Sequence, residues 1–354
     1  MTSASWPAPQ FLSTSAVHRM AFRVVGERSG APWLLLHGGP GAACQPGMLS
    51  PLDLKRQWAV APDQRGCGAS LPRGSIARNT TQALVSDLEA LRRSLGVQRW
   101  SVLAGSWGTV VALAYAHRYP QHVDRLVLRG AFALTRRELA GLLQPSRRLI
   151  SAVGFEPRWP RAPGYGVPSV LMALRKVVQS GTLGVAGLRA VRLWNRLEMA
   201  CALQGMRKSL RHAEAARDSQ LARCIRVNLG AMRRGLRRAR AQAALPRVRP
   251  VDRRMQAKFG VQGHYLTHKG FVRPGELDRA VRRMAAEGIA VDWVHGRFDA
   301  VCPPRNSLRW ASMAAVEGQG LKPRLHLTGA GHLGHEPATL DALRTVVRAA
   351  GRTR

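Results

Sequence analysis

Short apolar runs closed by glycine, proline or aspartate recur along this chain and alternate with stretches of helical period, which limits the fold more than any other feature. A strand buried on both faces reads as an unbroken apolar run, so the pattern predicts a mostly parallel sheet flanked by helices. The candidate strands are Trp33–Leu36, Trp58–Ala61, Trp100–Leu103, Leu126–Leu128, Val291–Val294 and Arg324–Leu327. Helices are predicted over Thr81–Leu95, where Leu84, Val85, Leu88, Leu91 and Leu95 share a face and Thr80 is the N-cap, and over Trp107–His117. From about Thr135 to Arg273 strand-like runs vanish, arginine and leucine dominate, and Pro157, Pro160, Pro163 and Pro168 break up the first part. The expectation is a discontinuous α/β core over residues 1–135 and 274–354, interrupted over residues 136–273 by an all-helical cap insertion. A chain of 354 residues is long enough to bury such a core.

Parallel sheets place their sites at the carboxyl ends of the strands, so the residues that follow each strand carry the functional argument. After Leu103 the chain reads Ala104-Gly105-Ser106-Trp107-Gly108, a strand, a tight turn and a helix. That is the layout of a nucleophile elbow, in which small neighbours let the backbone turn sharply and leave the serine hydroxyl exposed above the sheet. Ala104 stands where the pattern usually has glycine, and the position needs a small side chain. After Leu36 comes His37-Gly38-Gly39-Pro40-Gly41, whose missing side chains expose backbone amides. The amides of Gly39 and Trp107 are the expected oxyanion donors. A phosphate cradle would need a lysine and a Ser/Thr at Walker spacing, and neither is there.

A serine hydroxyl is a weak nucleophile until a base takes its proton and a carboxylate orients that base. Asp299 follows Val291–Val294 and His332 follows the last strand, giving the chain order Ser106, Asp299, His332. A loop serine, aspartate or histidine alone is more often structural, but three in this order at three strand ends form a constellation. His335, one helical turn further on beside Glu336, is the competing base. His264 and His268 have i,i+4 spacing without a nearby acidic third ligand, so no metal site is expected there.

The formal charge is +35, from 55 Lys and Arg against 20 Asp and Glu, and it is densest between Arg136 and Arg254. Such a charge attracts polyanions. However, no aromatic residues interleave the run Arg233, Arg234, Arg237, Arg238 and Arg240, and no nucleic-acid motif accompanies it. A solvated basic helix face is expected, with no specific nucleic-acid partner. Five scattered cysteines without CxxC spacing argue against a disulfide framework. Residues Met1 to Phe22 lack a basic start followed by an apolar run, and no stretch of eighteen apolar residues occurs. The expectation is a cytoplasmic protein without membrane contact; its oligomeric state stays open.

The motifs resemble those of the proline iminopeptidases, serine peptidases of the α/β-hydrolase fold with a helical cap. The resemblance is dense over Leu34–Leu139 and rests on His37–Gly41, Asp63-Gln64-Arg65-Gly66-Cys67-Gly68, Asn79-Thr80-Thr81, Gly105-Ser106-Trp107-Gly108, and Leu128-Arg129-Gly130 followed by Phe132. It resumes at His295–Pro303 and Gly329–His332. It implies a triad of Ser106, Asp299 and His332, no cofactor, and removal of N-terminal proline from short peptides. It also implies substrate-binding roles for Glu198, Gln262 and Phe132. Members hold the substrate ammonium with acidic cap residues, one of them in a Trp-x-x-Trp-Glu pattern. Here Trp194-Asn195-Arg196-Leu197-Glu198 keeps the carboxylate and replaces the second aromatic by leucine. The second acid, which precedes Asn-His-Tyr in the family, is Gln262 before Gly263-His264-Tyr265, and the aromatic stretch after Leu139 is reduced to Gly141-Leu142-Leu143-Gln144. A glutamine carbonyl accepts a hydrogen bond without supplying charge, so weaker amine recognition is expected. For Glu198 a salt bridge to Arg192 or Arg196 on the same helix stands beside the binding role. The rivals are an esterase, lipase or lactonase on the same scaffold, acting on a small acyl substrate, and a basic polyanion-binding protein that retains a hydrolase fold.

Overall fold

A computed structural model describes residues 6–144, 166–179, 181–318 and 324–350. Its centre is an eight-stranded sheet with strands β1 Gln10–Ser13, β2 Arg19–Gly26, β3 Ala31–Leu36, β4 Gln57–Pro62, β5 Trp100–Gly105, β6 Val123–Arg129, β7 Ala290–Gly296 and β8 Leu325–Thr328. The order across the sheet is β1-β2-β4-β3-β5-β6-β7-β8. The pairs from β4 to β8 are parallel, whereas β1 and β2 join as an antiparallel edge. This is the α/β-hydrolase architecture that the alternation predicts, with the β1–β2 edge added.

Both sheet faces are covered, and side chains alternate between them with a period of two. Leu34, Leu36, Val60, Val102, Ala104, Leu126, Leu128 and Trp293 pack beneath helices α1 Thr81–Ser94 and α2 Trp107–Arg118. Trp33, Leu35, Ala59, Ala61, Leu103, Val127 and Val294 face Leu343, Val346 and Val347 of the last helix, Pro337–Ala350. Thr80 caps α1 as expected, its side chain accepting from the Ala83 N–H.

Between β6 and Ala290 the described residues form no strand. They form α3 Arg136–Leu143, α4 Val167–Val178, α5 Val185–Ala215, α6 Ser219–Ala241, α7 Pro250–Thr267 and α8 Glu276–Ala286; α9 Arg305–Glu317 and α10 Pro337–Ala350 follow later. Pro157, Pro160 and Pro163 lie outside the described residues, and Pro168 sits in the first turn of α4, where a missing N–H removes no helical hydrogen bond. The 31 residues of α5 run about 46 Å at helical rise. Leu203, Met206 and Ala213 of α5 pack on Ala222, Ile225, Leu229 and Leu236 of α6, which leaves Arg233, Arg234, Arg237, Arg238 and Arg240 exposed. Arg192 of α5 makes a buried two-point ion pair with Asp252 of α7, at 3.0 and 2.8 Å.

Candidate active site

The turn after β5 holds Ser106 at φ 55, ψ −125, a conformation that L side chains rarely adopt and that strains the backbone. The Ser106 N–H donates to the Arg129 carbonyl at 2.9 Å, which ties the elbow to the end of β6. Gly108 is required by space: a Cβ there would stand 2.4 Å from the Leu36 carbonyl oxygen. The helix therefore starts against the loop His37–Gly41. In that loop a Cβ on Gly38 would lie 3.2 Å from the Ser106 Cβ, so its backbone runs directly beside the serine. Gly39 has φ +120, which favours glycine. As the first residue of α2, Trp107 has an N–H without an intrahelical acceptor.

Gln64 fastens the loop to the elbow. Its amide nitrogen donates to the His37 carbonyl at 3.0 Å, and its Oε1 accepts from the Trp107 indole N–H at 2.9 Å. Its backbone N–H donates to His37 Nε2 at 3.1 Å, so the imidazole proton sits on Nδ1, which donates to the Gly38 carbonyl at 2.9 Å. Burial pushes the His37 pKa down and keeps the ring neutral, against the opposing charge of Asp63.

Across the sheet, Asp299 lies in the turn after β7 and accepts the N–H groups of Val301 and Cys302 on Oδ1, both at 2.8 Å. Its Oδ2 lies 2.7 Å from His332 Nδ1 and 3.4 Å from His295 Nε2. Burial opposes ionisation, but the His332 and His295 rings outweigh it and hold the carboxyl well below the usual range. The loop after β8 that carries His332 is itself fixed: Glu336 accepts from Gly331 N–H at 2.8 Å and Leu333 N–H at 3.0 Å. The Arg129 guanidinium donates to the His332 carbonyl.

The structure thus joins two of the three predicted groups directly. The Ser106 hydroxyl lies 3.9 Å from Cys302 Sγ, and among the described residues no Ser106–His332 hydrogen bond forms in this rotamer. Cys302 bridges the gap, its sulfur facing Ser106 and its N–H bound to Asp299. Hydrogen bonds of unliganded catalytic sites often tighten only around substrate. His335 is exposed, and Asp299 pairs with His332 rather than with it. His264 Nε2 is engaged by the Asn79 carbonyl at 2.9 Å, and its ring packs against His268.

Of the remaining predicted residues, Phe132 is 3% exposed, with its N–H bonded to Thr109 Oγ1 at 3.1 Å. Glu198 accepts from Gln262 Nε2 at 2.9 Å and pairs with the Lys258 ammonium. The same-helix salt bridge that stood beside the binding role does not form with Arg192, which is taken by Asp252, and the cation on Glu198 is Lys258 of α7. Sequence reasoning also missed the roles of Gln64, Arg129, His295 and Cys302. The one signal for them is that each lies inside or beside a quoted motif block.

Fold and site define a hydrolase of the α/β-hydrolase fold, and a family model for that fold matches residues 32–176. The structure of a meta-cleavage product hydrolase from Pseudomonas fluorescens covers 100% of both chains with TM-score 0.56 at 17% identity, a likeness of fold alone. The proline iminopeptidase of Xylella fastidiosa is 31% identical over 331 residues, 92% of this chain and 91% of that one. That of Arabidopsis thaliana is 30% identical over 327 residues, 92% and 75% of the two chains. The chain belongs to the proline iminopeptidase family and is an enzyme of the serine hydrolase class. Among the described residues no helix is long and apolar enough to cross a membrane.

Proposed function

We propose that the chain releases N-terminal proline from short peptides through an acyl-enzyme on Ser106. The observation that carries this reading is the His332–Asp299 pair held at the carboxyl edge of the sheet beside a serine in a strained turn. In the reaction, Ser106 Oγ attacks the scissile carbonyl carbon and its proton passes to His332 Nε2. Asp299, ionised and bound through Nδ1, stabilises the imidazolium that forms. The carbonyl oxygen gathers charge where the amides of Gly39 and Trp107 point, and one such donor lowers a barrier by roughly 3 kcal/mol. His332 then gives its proton to the leaving amine as the C–N bond breaks, and water cleaves the acyl-enzyme by the same route in reverse.

In this reading residues 136–273 act as a cap over the sheet edge, and Glu198, Gln262 and Phe132 face the acyl part of the substrate. A cytoplasmic setting suits five free cysteines, of which only Cys224 is exposed. The test compares release of arylamine from an L-prolyl arylamide with turnover of a simple p-nitrophenyl ester. Prolyl arylamide turnover supports the reading. Rapid ester hydrolysis with no arylamine release would replace it by an esterase.

A further inference from the structure

A protonated N-terminal amine needs an anion in the acyl pocket, and most acids near Ser106 are committed elsewhere. Glu138 accepts from Ala133, Thr135 and Asn306, Glu336 from Gly331 and Leu333, Asp63 from Cys44 and Ala69, and all three are buried. Glu198 is different, with 28% of its side chain exposed. It sits two turns before Gly205 on α5, about 10 Å along the axis. At Gly205 a Cβ would stand 3.0 Å from Gly331 Cα and 2.8 Å from the Phe298 carbonyl, so this helix crosses the loops that carry Asp299 and His332. Lys258 approaches from α7, whose backbone carbonyl at that residue would lie 2.2 Å from a Cβ on Gly41 of the oxyanion loop.

Both carboxylate oxygens of Glu198 already have a donor: Lys258 Nζ on Oε2 and Gln262 Nε2 on Oε1. Because a carboxylate only accepts, the Gln262 amide must turn its nitrogen to Glu198, and its Oε1 is then left buried without a partner among the described residues. This cluster thus holds one neutralised, part-exposed carboxylate and, beside it, one unpaired buried acceptor. A secondary ammonium has two N–H donors, one for each. To reach Glu198 it must share the carboxylate with the Lys258 ammonium or displace it, and lysine's flexible stem allows displacement.

We propose that Lys258 is a specificity-determining residue whose ammonium competes with the substrate's protonated amine for Glu198, narrowing the preference for N-terminal imino acids over amine-free acyl groups. This rests on the reading that Glu198 faces the acyl part of the substrate. It does not require that prolyl peptides be turned over.

The experiment reads protection of Ser106 from a fluorophosphonate label by L-prolinamide and by cyclopentanecarboxamide, which has the same ring without the amine. In Lys258→Met and in Lys258→Gln, half-protection by prolinamide should fall at least about threefold below the wild-type concentration, while that by the carbocyclic amide stays the same. Lys258→Arg, which keeps the charge, should behave like wild type. In a Glu198→Gln background the gain from Lys258→Met should vanish. Equal prolinamide protection in wild type and both neutral variants, or no protection in any variant, overturns the proposal. Better protection in the neutral variants with no prolyl arylamide turnover would uphold it while removing the proposed reaction.

Discussion

His332 Nδ1 lies 2.7 Å from Asp299 Oδ2, while Oδ1 of the same carboxylate is held by two backbone N–H groups. The carboxylate therefore cannot turn, and it fixes which imidazole nitrogen is left free of it. Asp299→Asn keeps the shape but offers a donor where an acceptor is needed, so kcat should fall by a factor of about ten thousand. The sign for stability is also set. With its folded pKa held below the unfolded value of about 3.9, Asp299 stabilises the fold above that pH and loses the contribution as the carboxylate is protonated. Urea titrations of wild type and variant should differ most above about pH 5 and converge in stronger acid.

The same logic applies to Asp252, whose side chain is fully buried against Arg192. Burial opposes its charge, but hydrogen bonds from Arg192 and Arg249 bring its pKa down to about 2. Asp252→Asn leaves a buried guanidinium without its anion and should cost about 3–5 kcal/mol at neutral pH. The deficit should hold from pH 7 to about 5 and narrow as the pH approaches 2.

Strain at Ser106 gives a prediction that separates stability from activity. Ser106→Ala keeps the Cβ in its unfavourable backbone conformation and should leave the melting temperature near that of wild type. Ser106→Gly removes the Cβ and should stabilise the fold by about 1 kcal/mol, while both variants lose covalent labelling. Thermal melts of the three proteins decide it.

Gln64→Ala strands the Trp107 indole N–H and the His37 carbonyl, both in buried surroundings. Each unpaired group costs about 1–3 kcal/mol, so the variant should lose about 2–6 kcal/mol in urea unfolding. Its kcat should also drop at least tenfold, because the loop with Gly39 and the helix with Trp107 are no longer tied together.

How much of this was legible depends on what each feature needs. The six strand candidates fall on β3 to β8, most clearly where a parallel strand is buried on both faces and so reads as an apolar run, as β3 and β5 do. Their ends fell short where Gln57 and Arg125 extend the pairing with polar side chains. The edge strand β1 and its neighbour β2 were missed because β1 is mostly exposed and Arg19 and Arg23 break the apolar pattern of β2. Ser106, Asp299 and His332 could be singled out as candidates because each follows a strand end within a few residues, and that position is local to the sequence. Gln64, Arg129, His295 and Cys302 act through contacts between distant segments, which no local pattern encodes. The cation on Glu198 was not legible for a related reason. Arg196 and Arg192, two and six residues away, do not share its helix face, whereas Lys258 comes from a different helix sixty positions on.

The proposed reaction requires Ser106 as the nucleophile and His332 as the base that activates it. A fluorophosphonate incubated with the folded enzyme, followed by peptide mass mapping, tests this most directly. One label on the peptide containing Ser106, lost in Ser106→Ala and slowed at least a hundredfold in His332→Ala, is the predicted result. An unlabelled wild-type protein, or equal labelling of Ser106→Ala, would contradict it.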